Sequence, residues 1–203
     1  MDKIESKKEL KHLYAPSAKE FTVVDVPSMQ FLMIDGHGDP SSAIYQEAVS
    51  ALYALAYTIK FALKPQGIEY AVPPLEGLWW TKDMATFSLE AKDQWDWTMM
   101  ILQPDCVTPK LVEQARQKTA KKKALSALPG VRLETYHEGL SVQILYFGAY
   151  DDEHPTIARM HAFIAEQGYE TNGKHHEIYL GDPRKTTPDK LKTILRQPIR
   201  AKA

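Results

Sequence analysis

The sequence predicts an α+β fold built from two similar strand-helix-strand-strand modules. Three observations point there. Two strand-like runs end alike, in MILQP at Met100 to Pro104 and in ILRQP at Ile194 to Pro198. Upstream of each lies a glutamate inside an apolar run, Glu76 in PPLEGLWW and Glu177 in HHEIYLG. Further upstream, IDGHGDP at Ile34 to Pro40 matches YFGAYDD at Tyr146 to Asp152, each with a turn glycine, Gly36 or Gly148. Internal repetition of this kind governs the whole fold, so it precedes any reading of single elements. Two similar halves are expected to face one another, and strands arriving in adjacent pairs with one helix per pair exclude parallel βαβ winding. The expected organisation is a single domain over 1–203, with a first module at 20–104, a helical connector at 105–138 and a second module at 139–200.

The elements follow from local pattern. Phe21 to Val26 and Met29 to Asp35 are rich in β-branched and apolar residues and predict two strands separated by Pro27. Pro40 and Ser41 open a helix to about Leu63, in which Ala43, Tyr45, Val49, Leu52, Ala56 and Ile59 recur at helical spacing before Pro65 and Gly67 stop it. Tyr70 to Val72 and Gly77 to Trp80 predict one interrupted strand. Its partner is Asp96 to Leu102, reached through a loop from Thr81 to Gln94 and stopped by Pro104. Thr108 is an N-cap with Pro109 in the first turn, so a connector helix is expected over Thr108 to Leu128, ended by Pro129 and Gly130. The second copy then gives a strand at Leu140 to Phe147, a helix at His154 to Glu166, a strand at His175 to Gly181 and a last strand at Leu191 to Gln197.

Bulk properties bound the function. With 203 residues, 44% hydrophobic content and a formal net charge of -1, the chain can bury a substantial core and carries no electrostatic footprint for nucleic acid. The lysine run Lys121 to Lys123 is a solvated face. The N-terminus MDKIESKKELKHLY lacks the apolar core of a signal peptide, and no run approaches the length of a membrane span. Cys106 is the only cysteine, which excludes an intrachain disulfide. A cytoplasmic protein that binds neither nucleic acid directly nor membrane is expected, with the oligomeric state left open.

Several chemistries can be set aside on residue pattern. GHGDP lacks the length and lysine of a phosphate-binding loop. His175 and His176 are adjacent on a strand and point apart, and His154 and His161 have no carboxylate pair at ligand spacing, so no metal site is expected. No nucleophile elbow is present, and Ser141 lies on a strand. Nothing calls for a cofactor.

What remains is an acid among aromatics. Strand alternation puts His175, Glu177 and Tyr179 on one face and His176, Ile178 and Leu180 on the other. A carboxyl beside a tyrosine in a buried strand suggests the floor of a pocket. Its burial should raise its pKa, and an organic cation would offset the desolvation of its charged form. Trp79, Trp80, Trp95 and Trp97 cluster in one stretch, and alternation lets only some of them line a cleft. Trp80 and Trp97 are the candidates, because indole faces stack on flat aromatics and attract cations. Tyr150 beyond the Gly148 turn, with Tyr146 and Phe147 at the strand end before it, completes the candidate ligand set of Glu177, Tyr179, His175, Trp80, Trp97, Tyr150, Phe147 and Tyr146.

The strings FLMIDGHGDP, EAVSALYALAYTIKFALK, PLEGLWW, WDWTMMILQPD and HHEIYLGDPRKTTPDKLKTILRQP resemble the GyrI-like small-molecule-binding family over nearly the whole chain. The resemblance implies a tandem, SOUL-like pair of modules related by a pseudo-two-fold with a central ligand cleft. In multidrug-sensing relatives, an acid at the position matched by Glu177 meets flat, lipophilic cations in an aromatic cage. It therefore implies a hydrophobic aromatic or cationic small molecule as partner, sequestered or sensed with Glu177 as counter-charge. Some members hydrolyse the cyclopropane of yatakemycin-type DNA-alkylating agents, a detoxification. For an enzyme of that kind Glu177 is the catalytic general base, with Tyr179 or His175 as donor to the developing phenolate.

Overall fold

The computed structural model describes residues 10–82 and 89–202. The fold is mixed α+β, and the chain divides into two compact units. Of the described residues, 29–75, 80–82 and 89–136 form the first, and 10–28, 76–79 and 137–202 the second. The middle of the expected loop from Thr81 to Gln94 and most of the charged N-terminal segment lie outside the described residues.

In the first unit, β1 (Thr22–His37) brings Phe31 to His37 antiparallel against β3 (Asp96–Leu102). β1 is one strand where two were expected. Pro27 has a φ compatible with extended backbone and removes only one ladder donor, so it does not end the strand. Ser42 caps α2 (Ala43–Leu63), its side chain accepting from the Tyr45 N–H. The buried stripe of α2, Ala48, Ala51, Leu52, Leu55, Ala56, Ile59 and Leu63, has the spacing of an amphipathic helix. Thr108 caps α3 as expected, accepting from the Leu111 N–H at 3.2 Å. The helix nevertheless stops at Ala120, short of Leu128, and spans Pro109–Ala120. Its buried positions are Val112, Ala115 and Thr119; the next turn would bring Lys122 and Lys123 to that face, so continuation has no apolar surface to bury. Arg116 ties the segment that follows, donating to the carbonyls of Leu128 and Val131 at 2.5 and 2.6 Å.

Trp97 organises this unit. It is fully buried, stands opposite Gly36 in the β1–β3 register, donates from Nε1 to the Gly38 carbonyl at 3.1 Å and meets Tyr45 edge-on at 5.3 Å. The indole lies so close over Gly36 that any Cβ there would overlap its ring.

β2 (Leu75–Trp80) is a short strand, and residues 68–74 before it are irregular rather than the expected first half of it. Its residues 76–79 belong to the second unit, next to β6 (His175–Tyr179). β7 (Lys192–Ala201) is the central strand there. It pairs antiparallel with β4 (Arg132–Phe147) through Ser141 to Phe147, with β6, and with β5 (Tyr169–Thr171), a three-residue strand that the pattern did not reveal. Pair partners share a face. One face therefore carries the rows Tyr146, Thr193, Tyr179 and Ile144, Leu195, Glu177, and the other carries Gln143, Arg196, His176. Helix α4 (His154–Glu166) covers the first face, where Met160 and Ile164 close a core with Val142, Ile144, Leu195 and Ile199. No helix among the described residues is long and apolar enough to cross a membrane.

Gly36→Ala is expected to cost about 1–3 kcal/mol, the usual cost of overpacking a filled core. Urea denaturation with the m-value checked measures it; an unchanged midpoint would mean that Trp97 moves aside freely.

Candidate functional site

The two faces of β6 have different chemistry, and both belong to the second unit. On the side away from α4, His176 is almost completely buried between two carboxyls. Its Nδ1 lies 2.9 and 3.0 Å from the Glu138 oxygens, and its Nε2 lies 3.0 Å from Glu76 Oε2. An imidazole with an acid at each nitrogen donates from both, which defines the imidazolium. Arg196, fully buried, donates to Glu138 Oε2 at 3.0 Å, to Gln143 Oε1 at 3.1 Å and to the Leu13 carbonyl at 2.8 Å. Gln143 donates to the His12 carbonyl at 2.7 Å, and the Tyr14 hydroxyl to Glu76 Oε1 at 2.8 Å. Helix α1 (Lys11–Tyr14), a single turn, is thus held by side chains rather than by its own cooperativity. Burial works against charge on Glu138, but the His176 and Arg196 charges outweigh it and hold the carboxyl at about 2. Burial likewise works against charge on His176, and Glu138 with both hydrogen bonds raises it to about 9.

The other face holds the sequence-predicted acid. Glu177 keeps 16% of its side-chain surface exposed and accepts from the Tyr179 hydroxyl at 2.8 Å. That hydroxyl in turn accepts from Trp79 Nε1 at 3.0 Å, and the Tyr179 ring meets Tyr150 edge-on at 5.4 Å. His175 lies 3.6 Å from Glu177 Oε1, and neither of its ring nitrogens has a hydrogen-bond partner among the described residues. Burial presses its pKa down to about 3, so it is neutral. A third acid lies on this side. Glu153, 2% exposed, precedes α4, and burial followed by the Glu177 charge pushes its carboxyl up to about 10.

The structure therefore brings Glu177, Tyr179, His175 and Tyr150 together. Tyr146 is in the same row as Tyr179, across Thr193, with its hydroxyl donating to the Ala149 carbonyl at 3.3 Å. Phe147 points the other way along β4, is half exposed, and carries Lys192 Nζ at 5.3 Å over its ring. Trp80 and Trp97 belong to the first unit. Trp97 is committed to Gly36 and Tyr45, and it also lines a cavity of about 440 Å³ with Ile34, Ile44, Glu47 and Arg132. The tryptophan that touches the Glu177 group is Trp79, one residue from the predicted Trp80. Alternation from Glu76 would have selected it, since Glu76 faces His176 and residues an odd number of positions away face Glu177. Arg196, Glu138 and Glu153 were also missed. The available signal was the same one that marked Glu177, a charge inside an apolar strand or next to a helix start.

Residues 19–200 match the model of the GyrI-like small molecule binding domain, and the chain belongs to that family. A structure of an uncharacterized conserved protein from Listeria innocua is 43% identical over 96% of this chain and 98% of its own, with a TM-score of 0.89. Two structures from Listeria innocua described as a hydrolase are 42% and 41% identical over the same shares, with TM-scores of 0.86 and 0.83. None of the curated proteins matches the chain. It is thus a small-molecule-binding protein by family.

The buried ionic group has a pH signature. The folded His176 value lies above its ordinary 6.5, so its contribution is complete below 6.5 and is lost as pH rises toward about 9. The folded Glu138 value lies below its ordinary 4.5, so its contribution is present above 4.5 and is lost as pH falls toward about 2. Chemical denaturation across pH should show the group stabilising most between these ordinary values. Glu138→Gln should cost about 3–5 kcal/mol, as for a broken buried ion pair, and His176→Gln should remove the decline above pH 6.5.

Proposed function

We propose that this chain binds a flat, hydrophobic aromatic molecule against Glu177, Tyr179 and Tyr150 and adds water to it, with Glu177 as general base. A yatakemycin-type DNA-alkylating agent, which carries a strained cyclopropane conjugated to a carbonyl, is the candidate substrate, and its destruction is a detoxification. The observation that carries the proposal is the relay from Trp79 through Tyr179 to Glu177. It fixes the orientation of a carboxyl that remains partly exposed, as a base acting on a small molecule requires. The hydrolase description of relatives 41% and 42% identical supports it.

In the proposed step, the water oxygen bonds to a cyclopropane carbon while Glu177 takes its proton. The strained carbon–carbon bond breaks, its electron pair passes into the conjugated system, and the carbonyl oxygen takes up a proton to become a phenol. Positioned acid–base chemistry of this kind contributes about 10²–10⁴ in rate. The paired modules at 20–104 and 139–200, joined by a connector at 105–138, belong to the same proposal, supported by the repeated glutamates Glu76 and Glu177.

A second reading, sequestration or sensing of flat cations with Glu177 as counter-charge, is favoured by the Tyr179 ring beside the acid and the Tyr150 ring edge-on to it. Glu177→Gln separates the two. Hydrolysis predicts that turnover of the alkylator, followed by mass spectrometry of the water adduct, falls by about 10²-fold or more, while quenching of tryptophan fluorescence by a neutral flat aromatic is retained. Sequestration predicts no adduct with either protein and a selective loss of affinity for cationic dyes. Full turnover by the variant would remove Glu177 as the base.

A further inference from the structure

Glu153 is a buried acid at the start of α4, with Thr193 of β7 beside its carboxyl. It occupies the N-cap position of α4 without capping it, since its side chain accepts no hydrogen bond from the first turn. Acids at that position ordinarily satisfy free amides of the helix start. Its Oε1 is buried without a hydrogen-bond partner among the described residues. A buried polar atom left unpaired is costly, and a site that receives a ligand is one place where the cost is offset on binding. The carboxyl is not isolated from the candidate site: the Glu177 charge is the strongest electrostatic influence on it, and Tyr146, across Thr193 from Tyr179, feels it in turn.

We propose that Glu153 is the second acid of the Glu177 site and its proton donor, the partner that a base at Glu177 requires. The proposal rests on the hydrolytic reading above and adds a residue to it. Two carboxyls in one site divide the work when their surroundings hold one charged and one neutral. Here Glu177 is partly exposed and held by a tyrosine hydroxyl, whereas Glu153 is sealed in and remains protonated at neutral pH, pushed by burial to about 10. A carboxyl that stays protonated at neutral pH can deliver a proton to a developing phenolate. The balance closes: water loses a proton to Glu177, the oxygen–carbon bond forms as the cyclopropane bond breaks, and the carbonyl oxygen takes its proton from Glu153. Transfer of a proton from Glu177 back to Glu153 then resets the pair.

The titratable groups that act on Glu153 are Glu177 of β6 and Asp151 in its own turn, and Glu153 in turn acts on Tyr146 of β4. Tyr146 is the one that could mimic it, because burial also raises that phenol above its ordinary value.

The test uses the full chain and a cyclopropane-bearing, carbonyl-conjugated alkylator. Glu153→Gln preserves size and neutrality, so its thermal melt should match that of the parent. Its kcat should fall about 10²-fold with KM within about three-fold, and the decline of kcat at high pH should disappear, while Tyr146→Phe keeps that decline. An infrared carbonyl stretch of a protonated carboxylic acid should be present at neutral pH in the parent and absent in Glu153→Gln, a readout independent of substrate. If Glu153→Gln retains kcat within about two-fold while Glu177→Gln is inactive, Glu153 is not the donor and the reading of Glu177 stands. Absence of the infrared band in the parent also overturns the proposal. If the parent leaves the alkylator untouched, the hydrolytic reading falls and the donor with it.

Discussion

The imidazolium of His176, held between two buried carboxyls, is the interaction on which the candidate site depends. A strand has a period of two, so a slip of β6 by one residue would exchange its faces and bury Glu177 where His176 now sits. Hydrophobic pattern alone defends this register poorly, because β6 reads His-His-Glu-Ile-Tyr and offers one aliphatic side chain. The register is defended instead by charge. Glu76 on β2 and Glu138 on β4 approach His176 from its two nitrogens, and Arg196 on β7 secures Glu138. A shifted strand would leave these groups buried and unpaired, a penalty of several kcal/mol for each ion.

The same group explains why the site can be both acidic and well defined. Residues that present a carboxyl to a ligand cannot also be packed as core, so their position has to come from the opposite side of the strand. His175, Glu177 and Tyr179 inherit it from His176. What they add locally is a short relay, indole to phenol to carboxyl, that orients Glu177. His175 adds a neutral ring rather than a charge, since its burial excludes the imidazolium. The two adjacent histidines thus take opposite protonation states, and the cause is local: one has two acids at its nitrogens, and the other has none within hydrogen-bond distance.

Much of this was legible in the sequence where side-chain pattern and stop signals agreed. β3 is legible at its observed bounds because Pro104 stops it, and α4 because Gly168 ends it. The opposition of His175 and His176 and the union of Glu177 with Tyr179 followed from parity alone. Elements failed where two signals conflicted. Pro27 reads as a breaker although a long strand tolerates it, and the connector helix reads on to the Pro129 stop although its buried stripe runs out at Thr119. β5 is three residues long and owes its existence to β7, which no local pattern encodes. Trp79 and Trp80 differ by one residue and hence by one face, a distinction that required an anchor for the parity of β2.

That anchor is Glu76, and it shows what the repeat does and does not mean. The repeat pairs Glu76 with Glu177 as acids in apolar runs, and by that pattern the two are interchangeable. In the structure Glu76 is fully buried and bound by His176 and Tyr14, whereas Glu177 accepts from the Tyr179 hydroxyl and retains some exposure. The difference lies in partners supplied by other strands. An acid given an imidazolium becomes part of the core; an acid given a tyrosine hydroxyl and left partly exposed stays within reach of solvent or a ligand. Positions matched by the sequence pattern therefore do not carry matching chemistry, and the residue to mutate for function is the one the fold leaves within reach of a ligand.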